Sequence, residues 1–366
     1  MRASLGTVVR EWGRIGLIGV GGPPAHVALL RELCVERRGW MDARGFEDAN
    51  AACGLLPGPA STQLAIFCAH RVAGARGALL GGGAFILPGL LMVLALAALT
   101  LQDDPPGWVL GAAAGAGAAV VAVVAEAGIK LVRASVTGEH AVRRAAYLLA
   151  GAAATVTLGP AVVLVLLLAG LLELALQRGP AGHELATLPA LLWMAFKVGA
   201  LSYGGGFVII PLMQADAVEA NGWLSQAEFL NAVALGQLTP GPVVQTVAAV
   251  GYGAAGIGGG LLASVVAFAP SFVLVIGLAS RFERLRENAS ARAFLDGAGP
   301  AAVGAILGAA VLLTDGVTEP WQVALLAAAA LALLTRRVGV VAVLVGAALM
   351  GVAVGLGGGP LPGTGG

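Results

Sequence analysis

The stretch GLLPGPAS, residues 54–61, recurs in altered form as QLTPGPVV, residues 237–244. Pro57–Gly58–Pro59 thus returns as Pro240–Gly241–Pro242, 183 positions later. At the same offset Gly16 pairs with Gly199, Gly21–Gly22 with Gly204–Gly205, and Glu36 with Glu219. Gly39–Trp40 pairs with Gly222–Trp223, Phe46 with Phe229 and Phe85 with Phe268, so the offset reads as ungapped for more than seventy residues. Matches that include Trp, Phe and Pro mark an internal duplication. Repeated halves with helix-breaking Gly and Pro at corresponding positions point to the binding site of a transporter.

Composition sets the class. Hydrophobic residues make up 58% of the 366 and charged residues only 11%, against roughly 25% charged in a soluble domain. Apolar runs such as 78–101, 108–125 and 185–199 recur, and about 20 apolar residues span a bilayer core. No run alternates with period two, so the expectation is an all-α polytopic membrane protein, since lipid admits only helices or closed barrels. The net charge of +1 says nothing about partners, and no Lys/Arg block points to a nucleic acid, so none is expected. Cys34, Cys53 and Cys68 have no metal-ligand spacing and are expected to be buried small apolar groups. Residues 1–14 lack the pattern of a cleaved signal peptide.

The organisation follows from the repeat. We expect an N-terminal repeat over 1–176, a polar linker over 177–187, a C-terminal repeat over 188–354 and a disordered tail over 355–366. Each half reads as an apolar segment ending in glycines, a short Gly-Trp loop, a segment split by Pro-Gly-Pro, two long helices and two shorter ones. Breaks between the shorter helices are expected at Gly159–Pro160 and Arg336–Arg337. Loop charge alternates between equivalent positions. Residues 31–48 hold four arginines while their counterparts 213–228 hold only acids, and 102–107 hold two aspartates while 280–296 hold four arginines. Cytoplasmic loops carry the excess of Lys and Arg, so the halves are expected to be inverted relative to each other. This scheme has about five spanning helices plus one re-entrant or broken Pro-Gly-Pro segment per half. It places the N-terminus outside despite Arg2, Arg10 and Arg14.

Candidate binding residues cluster at the breaks. Gly21–Gly22–Pro23–Pro24 and Gly204–Gly205–Gly206 are expected to unwind helices at membrane depth, because Pro lacks a donor and Gly is conformationally permissive. Such backbone is tolerated only against protein or a wet cavity; glycine-mediated helix packing is the competing explanation. After each Pro-Gly-Pro, the first-turn N–H groups of Ala60, Ser61 and Thr62, and of Val243, Val244 and Gln245, are expected to be free at a positive helix end, where anions bind. Arg14 and Lys197 occupy matched positions, and Lys197 sits in an apolar run where a charge costs about 2.5–3.5 kcal/mol. Snorkelling to an interface also explains both. His26, Gln63, Asn231, Gln237, Thr239 and Gln245 are uncharged polar groups near the breaks. Glu126 has Lys130 one turn away as a sufficient partner. No ATP-binding, zinc-protease or nucleophile-elbow motif occurs, so neither an enzyme nor a cofactor is expected. The residues alone leave a carrier, a passive anion channel and a non-transporting scaffold open.

The sequence resembles the chromate ion transporter family in its two-domain form. GVGGPPAHVALLRE (19–32), LLPGPASTQLAIFCAHRVAG (55–74) and GAFILPG (83–89) are similar to that family's first domain. FKVGALSYGGGFVIIPLM (196–213) and LGQLTPGPVVQTVAAVGYGAAGIGGGLLAS (235–264) are similar to its second. Tyr203 departs from the Phe expected there. The resemblance implies export of chromate, a sulfate-shaped oxyanion, across a bacterial inner membrane, driven by potential or proton gradient. The family's motif positions carry over to Gly21, Gly22, Pro23, His26, Pro57, Gly58, Pro59 and Gln63. In the second half they fall on Gly204, Gly205, Gly206, Gln237, Pro240, Gly241 and Pro242. Sulfate is an alternative substrate, and a homodimer is compatible with the pattern.

Overall fold

The computed structural model describes residues 3–20, 22–55, 58–102, 105–136, 141–158, 162–177, 190–201, 209–278, 289–335 and 338–362. The described residues are almost wholly helical and contain no strand. The first half comprises α1 (Leu5–Ile18), α2 (Pro23–Arg31) running into a π-helical turn (Glu32–Arg37), α3 (Ala43–Leu55), α4 (Ala60–Thr100), α5 (Gly107–Ser135), α6 (Ala141–Leu158) and α7 (Val162–Gln177). The second repeats it with α8 (Ala190–Leu201), α9 (Ile209–Gln214) with its π turn (Ala215–Ala220), and α10 (Gln226–Leu238). A 3₁₀ turn (Val243–Gln245) then leads into α11 (Thr246–Leu278), α12 (Ala289–Leu312), α13 (Pro320–Leu334) and α14 (Val340–Leu356). Four described stretches are long and apolar enough to cross a membrane: Ala60–Thr100, Gly107–Val132, Val243–Gly277 and Asp296–Gly316. The chain is an integral membrane protein of two repeated halves.

The duplication extends to backbone hydrogen bonds. Trp40 N–H donates to the Cys34 carbonyl and Trp223 N–H to that of Ala217, closing the same turn around positive-φ Gly39 and Gly222. The long helices of the two halves run antiparallel, Gly82 of α4 lying against Phe272 and Leu94 against Gly260 of α11. Inversion is thus built into the core.

The register departs from the sequence expectation beyond Pro-Gly-Pro. The kink at Ala73–Gly74 in α4 corresponds to Ala255–Gly256 in α11, an offset of 182. Gly16 packs on the carbonyl of Phe85, but Gly199 on that of Ala267, so Phe85 and Phe268 are not equivalent. The missing residue is absorbed in the turn after the second proline. Gln63 N–H bonds the Pro59 carbonyl four residues back, whereas Gln245 N–H bonds the Pro242 carbonyl three back. A 3₁₀ turn takes three residues where an α turn takes nearly four, which makes Gln63 and Gln245 structural counterparts.

Two further expectations are corrected. The chain turns back after α1, so that Arg38 reaches Glu11 at 2.7 Å and Trp40 stacks on Trp12. This sets the N-terminal part of α1 beside the basic 31–48 stretch rather than opposite it, and brings Arg10 and Arg14 into line with the charge rule. The tail is ordered as far as residue 362. There Trp321 Nε1 donates to the Pro360 carbonyl at 2.9 Å, and Leu361 is buried. Most of the expected linker lies outside the described residues. All three cysteines are buried, as expected.

Close glycine contacts hold the bundle. α14 packs antiparallel along α5, where a Cβ on Gly111 would meet the Gly351 carbonyl and one on Gly115 the Ala347 carbonyl. Small residues allow such approach where no hydrophobic force drives association. Gly111→Val is therefore expected to destabilise the protein by about 1–3 kcal/mol through overpacking. Thermal unfolding in detergent checks this, with Gly83→Ala, whose Cβ meets nothing within 4 Å, expected to unfold no earlier than the parent.

Candidate functional site

The two Pro-Gly-Pro turns end their helices for local reasons. Proline disfavours helix in the residue before it, so α3 stops at Leu55 and α10 at Leu238. Gly58 and Gly241 then take φ of 123° and 105°, a region that favours glycine. Pro59 and Pro242 cap the following turns in extended conformation. In the first half the N–H groups of Ala60, Ser61 and Thr62 are left without intrahelical acceptors, as expected. In the second, Gln245 spends its N–H on Pro242, and only Val243 and Val244 keep theirs.

Each turn rests on the other half. The Gln245 Nε2 donates to the Ile86 carbonyl of α4 at 2.6 Å. Gly89, three residues on, is a position where any Cβ would strike the Pro240 carbonyl. Reciprocally, the space beside Gly58 is bounded by Ser271 of α11, the counterpart of Gly89 at the 182 offset. Ser271 is fully buried, and its Oγ has no hydrogen-bond partner among the described residues. Sequence reading missed it. The signal was the proline pair Pro88 and Pro270, each followed by a small residue, hidden by the one-residue slip.

One hydrogen-bonded chain joins both halves. The Gly241 N–H donates to the Gly19 carbonyl at 3.0 Å. The same carbonyl lies 2.9 Å from His26 Nε2, and His26 Nδ1 lies 3.2 Å from Ser61 Oγ. A carbonyl only accepts, so Nε2 carries the proton and, in the neutral ring, Nδ1 accepts from the serine hydroxyl. His26 is fully buried, edge-on to Phe85 at 5.0 Å. With Ile209 and Val244 at the corresponding second-half positions, this polar chain belongs to one half only.

A cavity of 350 Å³ opens beside these turns, lined among others by Gly22, Pro23, Gln237, Gly241, Glu126 and Lys130. Gln237 Nε2, a donor, is buried there without a hydrogen-bond partner among the described residues. Gly22, at φ 74°, starts α2 with Pro23 in the first position. Pro23 and Pro24 bring no N–H groups, so this helix end offers the cavity a dipole rather than donors.

The structure therefore brings together Gly22, Pro23, His26, Gly58, Ser61, Gln63, Gln237, Pro240 and Gly241, with Pro59 and Pro242 as caps. Gly21, Pro57 and Gly204, Gly205 and Gly206 lie outside the described residues. The two predicted cations stand apart. Arg14 is exposed on α1. Lys197 is buried and paired at 2.6 Å with Asp216, beneath the Trp193 ring at 5.8 Å. Asp216, assigned to a loop from sequence, sits in the π turn after α9. Burial without that carboxylate would leave the ammonium uncompensated.

Comparison with known proteins agrees with this architecture. Residues 6–174 and 189–352 each match the profile of the family described as Chromate transporter. The chain is 33% identical to a chromate transport protein of Cupriavidus metallidurans, over 95% of this chain and 93% of the relative. It is 32% identical to a probable chromate transport protein of Synechococcus elongatus, over 85% and 84% of the two chains. It is 31% identical to a chromate transport protein of Pseudomonas aeruginosa, over 80% and 77%. No solved structure matches. A twofold profile match, laid over two halves that are inverted copies meeting at their Pro-Gly-Pro turns, identifies the chain as a member of the chromate transporter family, whose members are transporters rather than enzymes.

Proposed function

We propose that this protein exports chromate across a bacterial inner membrane by alternating access, with the two halves rocking about their paired Pro-Gly-Pro turns. The observation that carries the reading is the cavity that ends on the second of those turns and on the Gln237 amide nitrogen, which has no partner among the described residues. A tetrahedral oxyanion accepts hydrogen bonds and donates none, so a buried donor without an acceptor is the complement it needs. The donors left over after Pro59 and Pro242 extend that complement to the interface between halves.

Direction follows from charge. An inside-negative potential favours outward movement of an anion by about 2.3 kcal/mol per charge per 100 mV, and a dianion gains twice as much. Export then runs without a coupled ion, and the chain needs no nucleotide site. Asp216 neutralises Lys197, so this reading rests on hydrogen-bond donors and helix ends rather than on a free midplane cation.

Chromate uptake into everted membrane vesicles tests the reading, with the potential set by an ionophore and sulfate as competitor. Potential-driven accumulation that saturates and is weakly inhibited by sulfate is expected. Equal inhibition by sulfate would make the protein a general oxyanion carrier, and flux that does not saturate would make it a pore. Gln237→Leu is expected to raise the half-saturating chromate concentration about tenfold, the value of one hydrogen bond to a charged group. Lys197→Met is expected to lower thermal stability by about 3–5 kcal/mol, since it strands a buried carboxylate. The double replacement Lys197→Met with Asp216→Leu is expected to recover most of that loss in the same melting assay.

A further inference from the structure

We propose that Lys130 is the residue that captures the oxyanion at the basic end of the carrier, and that Glu126 acts as a stand-in anion which the substrate displaces. The proposal rests on the oxyanion-carrier reading and adds the recognition step at the mouth of the cavity. Glu126 and Lys130 form an ion pair one helical turn apart on α5. Both line the cavity that reaches Gln237 and Gly241, and both also line two further cavities beside α5. The Lys130 side chain is 57% exposed while that of Glu126 is only 16% exposed. The cation therefore faces the approach route, and the carboxylate lies in the wall behind it.

The opposite wall is complementary. Gly339 and Val340 line the mouth, where α14 begins with Gly339 as N-cap and no side-chain cap. Val343 takes the Gly339 carbonyl, so the N–H groups before it have no helical acceptor and form a positive helix end. Lys130 and the start of α14 thus line one cavity. A one-turn ion pair at a partly exposed site is weak, and a dianion presents twice the charge of the carboxylate that it replaces.

The second half lacks this device. The matching stretch of α12 and the turn after it, Asp296–Gly316, contains no lysine or arginine. Ala309 and Leu313 near its end are buried in the bundle. That end of α12 therefore offers no cation to an oxyanion. Lys130 lies near the end of α5 from which the chain passes to Arg143 and Arg144 of α6, the cytoplasmic end under the charge rule. A capture cation on that face alone makes the carrier asymmetric in affinity.

The test compares chromate uptake into everted and right-side-out vesicles for the parent chain, Lys130→Met, Lys130→Arg and Glu126→Gln, with rates normalised to the amount of protein in the membrane. Lys130→Met is expected to raise the half-saturating concentration about tenfold in everted vesicles, with little change in maximal rate. Lys130→Arg is expected to restore it, and Glu126→Gln to lower it several-fold. In right-side-out vesicles all three are expected to match the parent. An unchanged half-saturation for Lys130→Met in everted vesicles overturns the proposal, as does an equal shift at both faces or a shift confined to right-side-out vesicles. If the parent chain itself moves no oxyanion in either preparation, the oxyanion-carrier reading fails, and the capture site with it.

Discussion

Much of this protein depends on the contact between each Pro-Gly-Pro turn and the long helix of the opposite half. A broken helix leaves backbone donors and acceptors exposed, and inside a bilayer no water is at hand to satisfy them. The second turn meets that demand by donating Gly241 N–H to the Gly19 carbonyl, while the Gln245 amide reaches the Ile86 carbonyl. Each bond is worth only about 0.5–1.5 kcal/mol net, yet leaving its partners unmade at this depth costs more. The halves are therefore held where their helices are interrupted, at the place where a small polar solute also finds unsatisfied groups.

The duplication is a scaffold on which the halves have diverged in chemistry. Where α1 carries Glu11 against Arg38, α8 carries Lys197 against Asp216, with the signs reversed between helix and following turn. The His26–Ser61 pair faces apolar Ile209 and Val244 in the copy, and Gly89 faces Ser271. Another buried charge, Glu173, accepts from Tyr147 at 2.9 Å and pairs with Arg143, tying α6 to α7. Charges within the membrane are expensive and are held in pairs, so these sites record where each half has specialised.

Legibility from sequence was uneven, and the reason is the range of the interactions involved. The helical class, the two halves and the Pro-Gly-Pro breaks could be read because they depend on local rules: apolar run length, missing proline donors and glycine torsions. The pairing of Glu126 with Lys130 was also legible, since one helical turn separates them. The register slip after Pro242 was not, because a 3₁₀ turn and an α turn carry the same residues. Nor was the partner of Lys197, since Asp216 is brought to it by a fold-back that depends on the packing of neighbouring helices.

By itself the sequence determined that the chain is an inverted, duplicated helical membrane protein with matched breaks, because hydrophobic burial in lipid and proline chemistry act residue by residue. Only the tertiary structure decided which polar groups meet. Arg14 and Lys197 share a repeat position, but one is exposed and the other is neutralised by a buried carboxylate. Ser271 attracted no notice in the sequence and Lys130 only as the partner of Glu126, yet one bounds the space beside Gly58 and the other lines the cavity. Hydrogen bonds and ion pairs act over a few ångströms between residues far apart in the chain, so their pattern is a property of packing.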